Sequence, residues 1–514
     1  MLGLKGIFER SLKLPFNLRF SRTAVQQIQE KTLRKLLVKA MYTDFGKTYG
    51  FTDILIQPDV YKAFKSAVPK GDYINMLPWW TRCRQGEEDV TWPGKVDYFA
   101  LSSGTSDGST KYIPVTRDMI RSIQRASMRQ ILSVARTDVP KDHMLRDWLM
   151  IGGSTQLDYN GTYYSGDLSG ITTGNIPLVF QRNSKPEHEI RNSKDWHEKL
   201  EKITQEAGKW NVGMVAGVPA WIQILFERII AHHQVDNIHQ IWPNLEVFVH
   251  GGVSIKPYKQ SLDKLLGRPI KYFETYLASE GFIAFQSRAE ATGMRMLLKN
   301  GIFYEFVPFT DDNFTNGEMN PDAETLPIWE VEEGVNYALL MSTCSGAWRY
   351  LIGDTIKFTD LDRQEIEITG RTKHYISMVG EHLSVDNMNC ALEKISHKLN
   401  AEINEFTVMG VPYQGLFAHQ WYVGYDGPSI DEHDFKALLD AYLGELNDDY
   451  RVERQHALKE VFVTLLPNDV FIEFLKTKGK VGAQHKFPRV MKGTVAEEWL
   501  AFVESFKSSV NSTL

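Results

Sequence analysis

The stretch Leu101-Ser102-Ser103-Gly104-Thr105-Ser106-Asp107-Gly108-Ser109-Thr110-Lys111 carries the residue types that hold phosphate. Hydroxyls, glycines that let the backbone come close to a ligand, and a closing lysine ammonium together make a cradle for phosphate oxygens. The spacing is not that of the Walker loop, whose lysine directly follows its second glycine. Here Ser109 and Thr110 precede Lys111, and Gly46-Lys47-Thr48 has Met41 where that motif needs its first glycine. By composition alone the stretch reads equally well as a surface turn. Asp107 suits phosphate poorly and is expected to point away from it or to order the loop.

The elements that must position this loop follow from hydrophobic patterning. Leu33, Leu36, Leu37 and Ala40 recur at helical spacing in an amphipathic helix over 24–41, and a second helix is expected over about 117–135. Residues 45–51 read as a Gly-punctuated loop, 61–67 as a short helix, 72–83 as an aromatic stretch broken by Pro78, and 158–176 as a long loop. Trp148 to Ile151 reads as a buried strand ending at Gly152-Gly153, and helices are expected over 196–208 and up to about His232. Strand 245–250, the turn Gly251-Gly252, helix 256–266 and strand 270–276 form a βαβ unit of a parallel sheet. Ligands in such sheets sit beyond the carboxyl ends of the strands. From Gly301 to Phe358 the pattern turns into short strands, and after Gly370-Arg371-Thr372-Lys373 helices and strands alternate again. The expected class is α/β: a large N-terminal domain with mostly parallel sheets and a β-rich subdomain, plus a small α+β C-terminal domain.

Composition narrows the partners. A chain of 514 residues is long enough for two to four domains. A net charge of −6 gives no reason to expect nucleic acid. Three distant cysteines, Cys83, Cys344 and Cys390, argue against a disulfide framework and for a reducing compartment, and neither CxxC nor HExxH occurs. The N-terminus lacks a signal-peptide core and the run from Val212 to Phe226 is too short to span a bilayer, so a soluble cytoplasmic protein is expected.

Further stretches lie in a telling order. Glu274-Thr275-Tyr276-Leu277-Ala278-Ser279-Glu280-Gly281 fits a Y-x-S/A-S-E pattern, and Trp348-Arg349-Tyr350-Leu351-Ile352-Gly353-Asp354 fits Y/W-R-Y-x-x-G-D. Gly370-Arg371-Thr372-Lys373 with Gly380-Glu381 fits an interdomain hinge, and Gln484-His485-Lys486-Phe487-Pro488-Arg489 fits Q-x-K-x-P-R. In this order the sequence resembles the GH3 family of acyl acid–amido synthetases, within the adenylate-forming superfamily of acyl-CoA synthetases, luciferase and nonribosomal-peptide adenylation domains. The likeness runs from about Ala40 to Arg489.

The resemblance implies a reaction: a carboxylic acid attacks the α-phosphate of ATP, and an amino acid amine then takes the acyl group from acyl-AMP. It implies an adenylating domain over 1–372 and a mobile C-terminal domain over 373–514. It places Ser102, Ser103, Thr105, Ser106 and Lys111 on the ATP phosphates, Tyr276 and Ser279 at the adenine, Glu280 on Mg²⁺, Asp354 on the ribose, Arg371 and Lys373 at the hinge, and Lys486 on the developing phosphate charge. The ordinary alternatives are a packing tyrosine, surface acids and surface lysines. Residues 152–175, 214–221 and 250–252 would line the acyl site, and Trp221 and Phe180 would favour an apolar or aromatic acid. The acid, the amine and the oligomeric state stay open. Competing readings are an acyl-CoA ligase and a non-catalytic homologue that binds nucleotide or acid.

Overall fold

A computed structural model describes residues 19–102, 110–140, 143, 146–176, 181–256, 258–288, 291–315, 317–372, 375–477 and 487–511. The chain divides into two compact units; the first holds the described residues to Ser102 and from Lys111 to Thr372, the second Thr110 and those from Tyr375 onward.

The first unit opens with the helix Arg22–Ala40, capped by Ser21 and burying Leu33, Leu36, Leu37 and Ala40. The expected loop at 45–51 is instead two single-turn helices, Asp44–Thr48 and Phe51–Leu55. Thr43 caps the first, and Gly50 turns the chain with a left-handed φ of 62°. Burial drives the difference: Phe45 and Phe51 pack on Trp348, with ring centres 5.9 and 4.7 Å away. Pro78 does not break its segment either. Tyr73–Arg84 is one helix, opened by a capping box between Asp72 and Asn75 and anchored by Tyr73, Met76, Trp80 and Cys83. That cap and that burial outweigh the backbone hydrogen bond that proline forfeits. Part of the expected loop at 158–176 is also ordered, as strands Asp158–Tyr159 and Tyr164–Gly166 and helix Leu168–Gly174.

A twelve-stranded sheet dominates the described residues of this unit. Ser184–Lys185, Asp147–Met150, Val212–Gly217, Val247–Gly251 and Lys271–Ala278 lie side by side and parallel. The sheet continues antiparallel through Gly281–Phe285, Met294–Met296, Glu365–Arg371, Tyr350–Asp360, Asn336–Thr343, Ile302–Pro308 and Leu326–Pro327. The β-rich region is therefore present, and its strands extend the sheet begun by the βαβ unit. Helix Arg117–Val134 covers one face of the parallel part, where Val134 packs with Met214, Val247 and Phe273. Helix Pro219–His233 covers the other, with Ile222 against Gly217.

The core beside the antiparallel part contains one buried charge pair. Arg349 holds Glu305 through Nε and Nη2 at 2.9 to 3.1 Å and also donates to Lys65 O, Val68 O and Thr325 Oγ1. A buried guanidinium is tolerable because its donors are all answered. That network also holds Arg349 in a left-handed φ of 44°.

The second unit carries the sheet Phe406–Tyr413, Leu416–Gly424 and Leu458–Leu466. Around it run helices Val385–Leu399, Glu432–Leu446, Asp448–His456, Asn468–Thr477 and Gly493–Asn511; the last three had no counterpart in the sequence reading. Its buried hub is Glu381. This carboxylate accepts N–H groups of Met378, Val379 and Gly380 at 2.7, 2.8 and 3.1 Å, and His419 Nε2 lies 2.8 Å away. Burial pushes its pKa up, but the His419 contact and the backbone donors win and bring it to about 2, from 4.5.

A carboxyl with a lowered folded pKa stabilises above its unfolded value and loses that contribution as pH falls through the folded value. The shift corresponds to about 3 kcal/mol. Thermal unfolding of wild type and Glu381→Gln across pH should show the variant clearly less stable above pH ~5, with the gap closing towards pH ~2. A gap independent of pH contradicts the assignment.

Candidate active site

The phosphate-type stretch sits at the end of a hairpin. Tyr98–Ser102 pairs antiparallel with Lys111–Val115, and Ser102 lies directly across from Lys111. The pairing brings the first hydroxyl and the closing lysine of the stretch together. Ser103, Thr105 and Ser106 lie outside the described residues. Lys111 Nζ stands 5.6 Å from the centre of the Tyr73 ring, and Tyr112 N–H donates to the Tyr73 hydroxyl at 3.0 Å.

Tyr276 and Glu280 lie on a second hairpin. Ala278 pairs with Gly281, so Ser279 and Glu280 form a two-residue turn between strands. Gly281 has φ 151°, and a Cβ there would stand 2.9 Å from Ile302 Cδ1, so only glycine fits. Although it occupies a turn, Glu280 is just 8 % exposed. Tyr350 lies near this carboxylate, and burial, then the carboxylate's charge, raise the phenol's pKa. Burial pushes the Glu280 pKa up, and the Lys111 charge pulls the other way.

Asp354 is held from two sides. The Tyr276 hydroxyl donates to Oδ2 at 2.5 Å, and Arg371 Nε lies 3.2 Å from Oδ1. Asp354 and Arg371 are direct cross-strand partners, and Arg371 also donates to Ile352 O at 3.0 Å. Gly353 makes room at φ 92°, since a Cβ there would meet the Arg371 guanidinium at 3.1 Å.

The two segments are thus crossed. Each carries a tyrosine four residues before a carboxylate, Tyr276 before Glu280 and Tyr350 before Asp354; Tyr276 donates to the carboxylate of the other segment, and Tyr350 lies near that of the first. Burial first, and the neighbouring carboxylate second, push both phenols well above their ordinary pKa, so both stay donors. The sequence reading quoted Tyr350 without giving it work; the repeated tyrosine-to-acid spacing was the available signal. The same motif contains a purely structural part, since Trp348 is core and Arg349 is committed to Glu305.

Towards the other edge of the parallel strands, Lys199 is buried and donates to Gly152 O at 3.2 Å. Burial brings its pKa to about 8, from 10.5, with the Asp167 charge opposing. Lys199 Nζ lies 5.2 Å from the Trp196 ring centre, and Trp196 stacks on Trp221 at 4.2 Å and 7°. This ammonium among the expected acyl-site loops was missed because a helical lysine normally reads as surface. Phe180, Lys373 and Lys486 lie outside the described residues; Arg489, from the same motif as Lys486, pairs with Glu405.

The arrangement can offer one buried carboxylate (Glu280) beside the Lys111 charge, and a second (Asp354) with lone pairs left for hydroxyl donors. A magnesium ion needs one or two carboxylates plus phosphate oxygens, so Glu280 fits one without a larger cluster. Because its folded pKa is raised, the charged form of Glu280 is disfavoured, and stability falls as pH rises from 4.5 through the folded value. Glu280→Gln should therefore melt above wild type at pH ~8, with the difference vanishing near pH ~4. A variant that melts lower at both pH values contradicts this account.

Comparison with known proteins extends the resemblance across the chain. The GH3 family N-terminal domain matches residues 17–156 and 153–270, its central domain 295–371 and its C-terminal domain 386–494. An indole-3-acetic acid-amido synthetase of Arabidopsis thaliana, GH3.2, is 21 % identical over 398 residues, 65 % of this chain and 71 % of that protein. The jasmonoyl–L-amino acid synthetase JAR4 of Nicotiana attenuata is 21 % identical over 453 residues, 74 % of this chain and 76 % of that protein. Among solved structures, the GH3.15 acyl acid amido synthetase aligns over 94 % of this chain and 95 % of its own, with 15 % identity and a TM-score of 0.56. A 2-hydroxyisobutyryl-CoA ligase solved with 2-HIB-AMP and CoA aligns over 97 % and 94 %, with 14 % identity and a TM-score of 0.59. The two structures share this fold. With N-terminal, central and C-terminal models matched in order along the sequence, the chain belongs to the GH3 family.

Proposed function

We propose that this chain is an ATP-dependent acyl acid–amido synthetase. The observation that carries the proposal is the crossed pair Tyr276–Asp354 and Tyr350–Glu280 beside a hydroxyl-rich hairpin closed by Lys111. A carboxylate oxygen of the acid attacks the α-phosphorus of ATP, that P–O bond forms, and pyrophosphate leaves. An amino acid nitrogen then attacks the acyl carbon, the bond to AMP breaks, and the amine releases its proton.

The first step sets anion against anion, so the site must neutralise charge and hold the atoms in line. Ser102, Ser103, Thr105, Ser106 and Lys111 would hold the phosphates. Asp354 would take the ribose hydroxyls on lone pairs that Tyr276 and Arg371 leave open, while the Tyr276 ring and Ser279 border the adenine. Glu280 would hold Mg²⁺, which when bound supplies positive charge at the phosphate oxygens. Lys486 keeps the phosphate role that the resemblance implies, with 1–372 as adenylating domain and 373–514 as mobile C-terminal domain. The cysteines Cys83, Cys344 and Cys390 are free, which supports a reducing, cytoplasmic setting. No described helix is long and apolar enough to cross a membrane.

Pyrophosphate release from MgATP should depend on a carboxylic acid from a broad panel and fall at least ~10-fold in Asp354→Ala, as expected for lost hydrogen bonds to a charged group. Pooled amino acids should then yield an amide by mass spectrometry. A thioester formed only with coenzyme A would move the acceptor to a thiol, and MgATP binding without acid-dependent release would contradict the ligase.

A further inference from the structure

His250 is the penultimate residue of the strand Val247–Gly251. It is 2 % exposed, yet its Nδ1 has no hydrogen-bond partner among the described residues. Leaving such an atom unanswered loses its hydration with nothing in return, so an orphan of this kind needs a reason. Its ring neighbours are Phe248 at 5.7 Å and Tyr272 at 6.5 Å, and the Tyr272 hydroxyl is already given to Asp263 at 2.7 Å. Burial alone brings the imidazole down to about 4, from 6.5, so it is a neutral hydrogen-bonding group.

Register places this group. His250 lies between Gly217 on one neighbouring strand and Glu274 on the other. Side chains alternate along a strand, so Tyr276 shares the face of Glu274 and hence of His250. One strand spacing across and two residues along put the two backbone positions about 8 Å apart. On the far side Gly217 has no side chain of its own and Ile222 packs against it, while Gly251 and Gly252 follow directly. The imidazole therefore stands at the carboxyl rim of the parallel strands, beside the candidate nucleotide residues and bordered by glycines. A bound acid must lie along this rim for its carboxylate to reach the nucleotide.

We infer that His250 determines acid specificity: its Nδ1 meets a neutral hydroxyl on the carboxylic acid that the enzyme activates. A hydroxyl suits either imidazole tautomer because it both donates and accepts. A charged substituent does not suit a neutral buried ring. The inference rests on the ligase reading, and it names one property of the substrate.

The test uses matched probes on the full chain: salicylate and 4-hydroxybenzoate against benzoate, mandelate against phenylacetate, and 3-hydroxybutyrate against butyrate. Two readouts are taken, acid-dependent pyrophosphate release and the shift in melting temperature at saturating MgATP. Wild type should favour at least one hydroxylated acid by ~10-fold or more in kcat/KM, since a site built around a hydroxyl rejects the analogue lacking it. His250→Phe should bring that ratio to about one with the KM for MgATP unchanged, and His250→Asn should keep part of the preference. No hydroxyl preference in wild type, or one that survives in a folded His250→Phe, overturns the inference while leaving the ligase intact. Melting shifts that favour hydroxylated acids and depend on His250, without pyrophosphate release, would uphold the site and overturn the ligase.

Discussion

A hydrogen bond from one buried phenol, Tyr276 to Asp354, sets the shape on which the rest of the site depends. In sheet order, three strands separate Lys271–Ala278 from Tyr350–Asp360. Laid flat, four strand spacings would hold those two strands about 19 Å apart. Tyr276 nevertheless reaches Asp354 at 2.5 Å, so the sheet must curl between these two strands. Tyr350, near Glu280, is a second approach of the same two segments. The Tyr276–Asp354 contact is a hydrogen bond to a charged group, of the kind worth about 1.5–3 kcal/mol. Against that gain stands the cost of taking two carboxylates partly out of water. The balance leaves them fixed in place and short of solvent, the condition under which an added cation or a hydroxyl donor gains most.

The glycines of these motifs serve the same geometry. Gly281 lets the turn carrying Glu280 press against Ile302, and Gly353 lets the Arg371 guanidinium lie beside Asp354. Arg349 sits between the two tyrosine–carboxylate contacts in sequence and does different work, anchoring Glu305 and nearby carbonyls in the core. One short motif therefore joins the packed interior to the site. Trp348 and Arg349 fix its start in the core, and Tyr350 and Asp354 are aimed from that base.

Much of the fold was legible in the sequence because apolar period reports burial directly. The helices Arg22–Ala40 and Arg117–Val134 and the βαβ unit around Gly251 follow from spacing alone. Local breakers misled where tertiary burial was stronger, as with Pro78 inside a capped helix and the glycines of 45–51 inside an aromatic cluster. The joining of the β-rich region to the parallel sheet was not legible, because strand pairing is a property of distant segments. For the site, the motifs gave the residue identities, whereas the crossing of Tyr276 and Tyr350 required coordinates. Lys199 escaped because a single buried cation leaves no periodic trace, whereas the stretch holding His250 was expected to line the acyl site.

Nucleotide affinity tests the crossed-carboxylate account most directly. Calorimetric titration of ATP, with Mg²⁺ and with chelator, would be run on wild type, Asp354→Asn and Glu280→Gln. The account predicts that Asp354→Asn weakens binding at least ~10-fold in both conditions, while Glu280→Gln removes only the increment that Mg²⁺ provides. Folded variants that bind MgATP as wild type does would contradict it.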